Sequence, residues 1–175
     1  MNKFYLILLI IIILLFIFIK NKNNFYELWK YNNNIHKNMI FTSIGDNTNF
    51  YELWKDNNIN NYDIYAVYYG NNKNNFEKYK KYVNFILQRK GSKYQNFKYF
   101  YDNFQHIIKN YERFFLLDDD IIFYPQDINK MFNISKKYDL WLCSPTYKDI
   151  PECKIKHKIT KSQEKNQLRF VNFIE

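Results

Sequence analysis

The stretch that decides the fold spans residues 114–123 and reads Phe-Phe-Leu-Leu-Asp-Asp-Asp-Ile-Ile-Phe. Four apolar residues followed by polar chemistry predict a buried strand, Phe114 to Leu117, whose carboxyl end meets the acidic cluster. In an extended backbone, Asp118 and Asp120 point to one side and Asp119 to the other. Two carboxylates about 6.5 Å apart repel by about 2.5 kcal/mol at an effective dielectric near 20, so the cluster favours a bound cation.

A divalent cation suits this cluster best. Mg²⁺ and Mn²⁺ take oxygen ligands, and they bind through one or two carboxylates together with the phosphates of a substrate. Ligands of open α/β sheets also bind outside the carboxyl ends of the strands. We therefore predict that Asp118 and Asp120 hold Mg²⁺ or Mn²⁺ against a diphosphate. The alternative interpretation is an acidic turn that is only solvated.

The net charge of +9 invites a nucleic-acid interpretation, which the composition weakens. Lys outnumbers Arg 23 to 3, although Arg is the residue best suited to bidentate contacts with phosphate and guanine. Lys, Asn, Ile, Tyr and Phe dominate the chain, as an AT-rich coding sequence favours. No zinc-finger, helix-turn-helix or RNA-binding signature accompanies the charge. We therefore expect no nucleic-acid partner.

An apolar segment near the N-terminus predicts a membrane anchor. Residues 4–19 are all apolar or aromatic and carry no charge. As a helix they span about 24 Å, close to the ~27 Å of an ER bilayer. The segment ends in Lys20-Asn21-Lys22-Asn23-Asn24 without a small-residue cleavage site, which favours an uncleaved single-pass anchor over a signal peptide. We expect a membrane of the ER/Golgi type or a host-derived membrane, with its orientation left open because Lys residues flank both ends.

The rest of the chain is predicted to form one α/β domain after a stem. The heptapeptide Asn-Phe-Tyr-Glu-Leu-Trp-Lys occurs at residues 24–30 and again at 49–55, which indicates a local duplication rather than a solenoid. We therefore assign residues 1–20 to the anchor, 21–37 to an Asn-rich stem, and 38–175 to the domain. Strand patterns alternate with helix patterns there, which favours a mostly parallel sheet flanked by helices. The predicted strands are Met39–Ser43, Tyr62–Tyr69, Val83–Leu87, Phe114–Leu117, Leu140–Cys143 and Arg169–Ile174. The predicted helices are Asn49–Asp56, Phe76–Tyr82, Asn96–Lys109 and Pro125–Tyr138.

Further polar residues follow the predicted strands. Residues 89–93, Arg-Lys-Gly-Ser-Lys, place three cations and a glycine after the third strand. Lys90 and Lys93 are candidates for holding the phosphates of a nucleotide at the same sheet edge as the Asp cluster, and a basic surface loop is the alternative. Asp46, after the first strand, is a candidate for contact with the base or ribose, or a turn cap. Asp119 is a further candidate for nucleotide binding.

Three stretches resemble one known family. They are residues 89–96 (Arg-Lys-Gly-Ser-Lys-Tyr-Gln-Asn), 115–121 (Phe-Leu-Leu-Asp-Asp-Asp-Ile) and 168–175 (Leu-Arg-Phe-Val-Asn-Phe-Ile-Glu). In this order they resemble glycosyltransferases of the GT-A type, and more closely the nucleotide-diphospho-sugar transferase-like family filed as domain of unknown function 707. The resemblance covers about residues 39–175 and implies a Rossmann-like GT-A sheet. It also implies an Asp-x-Asp metal role for Asp118 and Asp120, and it places Glu175 at the start of an acceptor-site segment.

The function that this resemblance implies is sugar transfer from a nucleotide-diphosphate donor, assisted by Mn²⁺ or Mg²⁺. The family continues past the point that matches Glu175, so we expect the domain to be incomplete at its C-terminus. The alternative is a catalytically inactive or truncated membrane-anchored binding protein. No acceptor and no catalytic base are predicted.

Overall fold

A computed structural model of the chain describes residues 10–14, 36–54 and 60–146, except for the side chains at positions 51 and 53. The chain divides into two compact units, residues 1–126 and residues 127–175. Among the described residues, no helix combines the length and the apolar character needed to cross a bilayer. The predicted anchor lies mostly outside the described residues, as do nearly all of the stem and the predicted strand at 169–174, and these remain predictions.

The first unit is built on a four-stranded parallel sheet with helices packed against it, which confirms the predicted α/β class. The strands are β1 (Asn38–Ile44), β2 (Tyr62–Tyr68), β3 (Phe85–Gln88) and β4 (Arg113–Leu116). Their order across the sheet is β3-β2-β1-β4, and every pairing is parallel. The arrangement is consistent with a Rossmann-like sheet. The central strands β1 and β2 are buried along nearly their whole length, as expected where both faces of a parallel sheet are covered.

From residue 36 onward, the described helices are α1 (Phe50–Leu53), α2 (Lys73–Tyr79), α3 (Lys93–Asn103), α4 (Gln105–Ile108) and α5 (Pro125–Lys137). Helices α3 and α4 cover one face of the sheet, where they form a core cluster of Met39, Phe41, Tyr65, Val67, Phe85, Leu87, Phe100, Ile107, Ile108 and Tyr111. Helix α2 packs on the opposite face, because the ring of Tyr68 contacts the rings of Phe76 and Tyr79. The sheet therefore lies between two helical layers.

The third predicted helix was wrong in extent. A single helix was expected over Asn96–Lys109, but α3 begins at Lys93 and ends at Asn103, and α4 follows after Phe104. The earlier start comes from a capping box, in which Ser92 and Gln95 each bond the backbone N–H of the other. The break allows the Phe104 ring to pack on Phe85 and Phe100, with ring centroids 5.2 and 5.1 Å away.

The predicted strand at Leu140–Cys143 was also wrong. The N–H of Leu140 donates to the carbonyl of Ser135 at 3.0 Å, and that of Asp139 donates to Lys136 at 3.3 Å. Asp139 has φ 49°, in the left-handed region. These features define a Schellman motif, which closes α5 and directs the Leu140 N–H back to the helix.

The strand before the acidic cluster differs from the prediction in two respects. It was expected to be buried, but β4 is half-buried at the edge of the described sheet, and Phe114 is 36% exposed. It was also expected to remain extended through the cluster. Instead β4 ends at Leu116, and Asp119 and Asp120 lie in a turn. The two-sided arrangement predicted for the three Asp side chains therefore does not apply.

Candidate functional site

The four loops that carry the predicted site residues all leave the same edge of the sheet. Because every strand is parallel, their carboxyl ends share one edge. Residues 45–46 follow β1, residues 69–70 follow β2, residues 89–93 follow β3, and residues 117–120 follow β4. The chain adds β2 and β3 on one side of β1 and then β4 on the other. The reversal between β1 and β4 is a topological switch point, the place where open α/β sheets form a ligand crevice.

Asp119 joins the two loops at this switch point. Its carboxylate accepts a hydrogen bond from the backbone N–H of Gly45 at 3.0 Å, and its carbonyl accepts one from the Thr48 hydroxyl at 3.0 Å. Burial raises the pKa of the Asp119 carboxyl, and the bond from Gly45 opposes that rise. Asp119 therefore holds the β1 loop against the β4 loop, a positioning role that the sequence did not reveal.

Asp118 forms an ion pair with Lys93. The Lys93 Nζ lies 2.8 Å from the Asp118 Oδ1, and the two side chains are 17% and 58% exposed. Lys93 is the first residue of α3, and the Ser92 capping box sets where that helix begins. Two predicted site residues, 25 positions apart in the chain, are thus brought into contact. The contact is with each other, however, and it occupies one oxygen of a predicted metal ligand.

Asp120 and Tyr69 complete the acidic side of the site. Asp120 is exposed and makes no hydrogen bond or ion pair with another described residue. The Tyr69 phenol lies over Gly45, since a Cβ placed there would be 2.7 Å from the Tyr69 Oη. Burial raises the pKa of the Tyr69 phenol, and so do three nearby carboxylates, those of Asp119, Asp120 and Asp46. Tyr69 was not predicted as a site residue. Its position between the end of β2 and Gly70 is the feature of the sequence that could have identified it.

Asp46 organises the turns on the other side of β1. Its carboxylate accepts hydrogen bonds from the Tyr68 hydroxyl and from backbone N–H groups of Asn71 and Asn72. The Asn75 amide donates to the same carboxylate at 3.4 Å. The bonds from Tyr68 and Asn71 hold the pKa of Asp46 below its ordinary value. Its oxygens are thus engaged by protein donors, as the turn-capping alternative predicts, while contact with a nucleotide remains a prediction.

The basic loop after β3 is fixed by its own contacts. Lys90 Nζ donates to the carbonyl of Tyr69, and Arg89 donates to the Asn96 amide oxygen at 2.6 Å. Asn96 is completely buried and donates to the Ser43 hydroxyl at 3.0 Å. The loop is thereby attached to the ends of β1 and β2. Its cations lie at the edge that the sequence predicted, but each has a partner within the protein.

The residues present fit a divalent cation only in part. Within the described ranges, no group of three or more His, Cys, Asp or Glu side chains is arranged to hold a metal ion. Mg²⁺ needs only one or two carboxylates when substrate phosphates supply the other ligands. Asp120 is exposed, and Lys93 is paired with one of the two carboxylate oxygens of Asp118. The fit is therefore to a metal that arrives with a phosphate ligand, not to a closed protein cage.

No family model, curated protein or solved structure matches the chain. The resemblance to the GT-A type therefore depends on the three motifs alone. Of these, residues 89–96 and 115–121 lie in the described part of the first unit, while residues 168–175, with Glu175, lie outside the described residues.

Proposed function

We propose that the first unit is the nucleotide-binding half of a glycosyltransferase-like domain, which transfers a sugar from a nucleotide-diphosphate donor with the help of Mn²⁺ or Mg²⁺. The observation that carries this proposal is the contact between loops at one end of a parallel sheet, where Asp119 bonds the β1 loop and Asp118 pairs with Lys93 after β3. Nucleotides commonly bind at such positions in open α/β folds. The basic loop and the acidic turn supply both signs of charge that a metal–diphosphate complex requires.

The residues divide by role in this proposal. Asp118 and Asp120 hold the metal, and Lys90 and Lys93 donate to phosphate oxygens. Asp119 keeps the two switch-point loops together through its bond from the Gly45 N–H, 3.0 Å long. A bound divalent cation would supply charge neutralisation as the nucleoside diphosphate departs. The membrane anchor at residues 4–19 would hold the domain at a bilayer surface.

A second candidate is a membrane-anchored binding protein without catalytic activity. The observation that favours it is that several site residues already pair with other groups of the protein. Asp118 is paired with Lys93, Asp119 bonds Gly45, and Asp46 accepts from Tyr68. A site of this kind is suited to a structural role or to weak ligand binding, since each partner must be displaced before a ligand is held.

Calorimetry on the full chain with uridine and guanosine diphosphates, with and without Mn²⁺, distinguishes these proposals. We expect Mn²⁺-dependent binding in the wild type, weakened at least tenfold in the double variant Asp118→Asn/Asp120→Asn. Asp102→Asn is a matched control, because Asp102 pairs with Lys98 at 2.8 Å on α3 and carries no predicted site role. Absence of Mn²⁺-dependent nucleotide binding in the wild type removes the enzyme proposal. Binding without sugar transfer to any acceptor or to water supports the second candidate.

A further inference from the structure

One buried carboxylate lies away from the candidate site. Asp63 is 5% exposed, and among the described residues it is the single Asp or Glu that is buried. It is the second residue of β2, so it lies at the amino ends of the parallel strands, the edge of the sheet opposite to the candidate site. Burying a carboxylate costs free energy unless its oxygens accept hydrogen bonds, so the groups around Asp63 indicate its role.

The donors to Asp63 come from three separate parts of the chain. The Asn84 amide, just before β3, donates to one carboxylate oxygen at 2.9 Å, and the Tyr111 hydroxyl, just before β4, donates to the other at 2.7 Å. The backbone N–H of His36, two residues before β1, also donates to the carboxylate. Burial raises the pKa of Asp63, whereas Tyr111, the protonated imidazole and N–H of His36, and Asn84 oppose the rise. All of these donors therefore favour the ionised form.

The Tyr111 hydroxyl lies between two oxygens but has one proton to donate. Its oxygen is 2.7 Å from the Asp63 Oδ2 and 2.9 Å from the Tyr65 Oη. Burial, together with Tyr65 and Asp63, raises the pKa of Tyr111, so this phenol keeps its proton. When Asp63 is ionised, Tyr111 donates to the carboxylate and accepts from Tyr65. When Asp63 is protonated on Oδ2, the acid donates to Tyr111, and Tyr111 donates to Tyr65.

We propose that Asp63, Tyr111 and the backbone N–H of His36 form a pH-sensitive latch on the chain that enters β1. Ionised Asp63 holds the His36 N–H by a charge-assisted hydrogen bond, which is about twice as strong as a neutral one. A proton taken up from solvent on Oδ2 removes that charge and reverses the direction of the bonds through Tyr111 to Tyr65. The latch is therefore closed when Asp63 is ionised and weakened when it is protonated, without any ligand at the candidate site.

The rest of the entry to β1 is held in both states. The Lys37 carbonyl accepts from the Glu112 N–H at 2.8 Å, and the Asn38 amide donates to the Asn61 carbonyl at 3.0 Å. None of these bonds involves Asp63. Protonation should therefore loosen the chain at His36 and leave the β1 strand in place.

Histidine amide signals test the latch in the full chain. The chain has three histidines, so ¹⁵N-histidine labelling of the detergent-solubilised protein gives three backbone N–H signals, and the one lost in His36→Gln belongs to position 36. As the pH falls from 8 to 4, we expect the proton shift of this N–H to move upfield, with a midpoint above 3.8, because its carboxylate acceptor loses its charge. The movement should be absent in Asp63→Asn, whereas a movement caused by the His36 imidazole would persist there.

Two tyrosine variants test the hydrogen-bond chain, since each removes one phenol hydroxyl. Tyr111→Phe deprives the ionised carboxylate of a donor, so the midpoint should rise by about one to two pH units. Tyr79→Phe is the matched control and should leave the midpoint unchanged, because the Tyr79 hydroxyl donates to the Asp46 carbonyl at 3.1 Å, in the helical layer on the opposite face of the sheet.

The outcomes separate the latch from a purely structural role of Asp63. A His36 signal that does not move between pH 8 and pH 4, or that moves equally in Asp63→Asn, refutes the latch. If Asp63→Asn does not fold, Tyr111→Phe decides instead, and an unchanged midpoint in that variant refutes the latch as well.

Discussion

Replacing Asp119 by Ala tests whether this carboxylate joins the loops at the switch point. The substitution leaves the buried N–H of Gly45 without its acceptor, which lies 3.0 Å away in the wild type. A buried donor without a partner costs about 1–3 kcal/mol. The bond from Thr48 is made to the backbone carbonyl of Asp119 and should persist. We therefore expect the free energy of unfolding to fall by about 1–3 kcal/mol, or roughly 2–10 °C in melting temperature for a chain of this size.

Two companion variants make this prediction specific. Asp119→Asn retains an acceptor oxygen and removes a carboxylate whose pKa burial raises, so it should cost less than about 1 kcal/mol. Asp120→Ala changes the adjacent, exposed residue and should stay within about 0.5 kcal/mol of the wild type. Urea denaturation followed by circular dichroism gives all three values. Equal losses in Asp119→Ala and Asp120→Ala would show that the bond to Gly45 contributes no stability.

Two further predictions concern the sheet away from the site. Burial raises the pKa of Asp63 above 3.8, although hydrogen bonds from Tyr111 and Asn84 oppose the rise. The contribution of this carboxyl to the free energy of unfolding is therefore fully present below pH 3.8, and it is lost as the pH rises through the pKa of the folded state. The free energy of unfolding of Asp63→Asn should consequently rise relative to that of the wild type as the pH increases from 4 to 7. Urea titrations that give the same difference between the two proteins across that range would contradict this prediction. Phe100→Ala removes a fully buried ring that packs on Phe41 and Phe85. It should lower the free energy of unfolding by about 3–5 kcal/mol in the same assay, whereas a loss below about 1 kcal/mol would mean that the core cluster under α3 and α4 does not support the fold.

Local patterns were enough to predict much of the secondary structure. The apolar runs of β1 and β2 and the proline at the start of α5 appear in the structure close to their predicted positions. These features depend on neighbours in sequence, namely continuous apolar runs, glycine and asparagine turns, and a proline at a first helical position. The Schellman motif after α5 was missed because the left-handed residue is Asp139 rather than glycine.

Contacts between distant residues could not be predicted in the same way. The sequence indicated that Lys93 and the Asp cluster lie at one edge of the sheet, because the sheet was expected to be mostly parallel. It did not indicate that Lys93 pairs with Asp118, or that Asp119 bonds Gly45. Those contacts depend on the strand order, which places β4 beside β1.

The sequence by itself determined the alternation of strands and helices and the position of an acidic cluster after β4, because hydrophobic periodicity acts over a few residues. Only the tertiary structure decided which acidic group is free, which is paired and which is structural. That outcome depends on where separate loops meet in space. Asp118, Asp119 and Asp120 are identical in chemistry and adjacent in sequence. Among the described residues, however, Asp118 pairs with an ammonium and Asp119 accepts from a backbone N–H, whereas Asp120 is exposed.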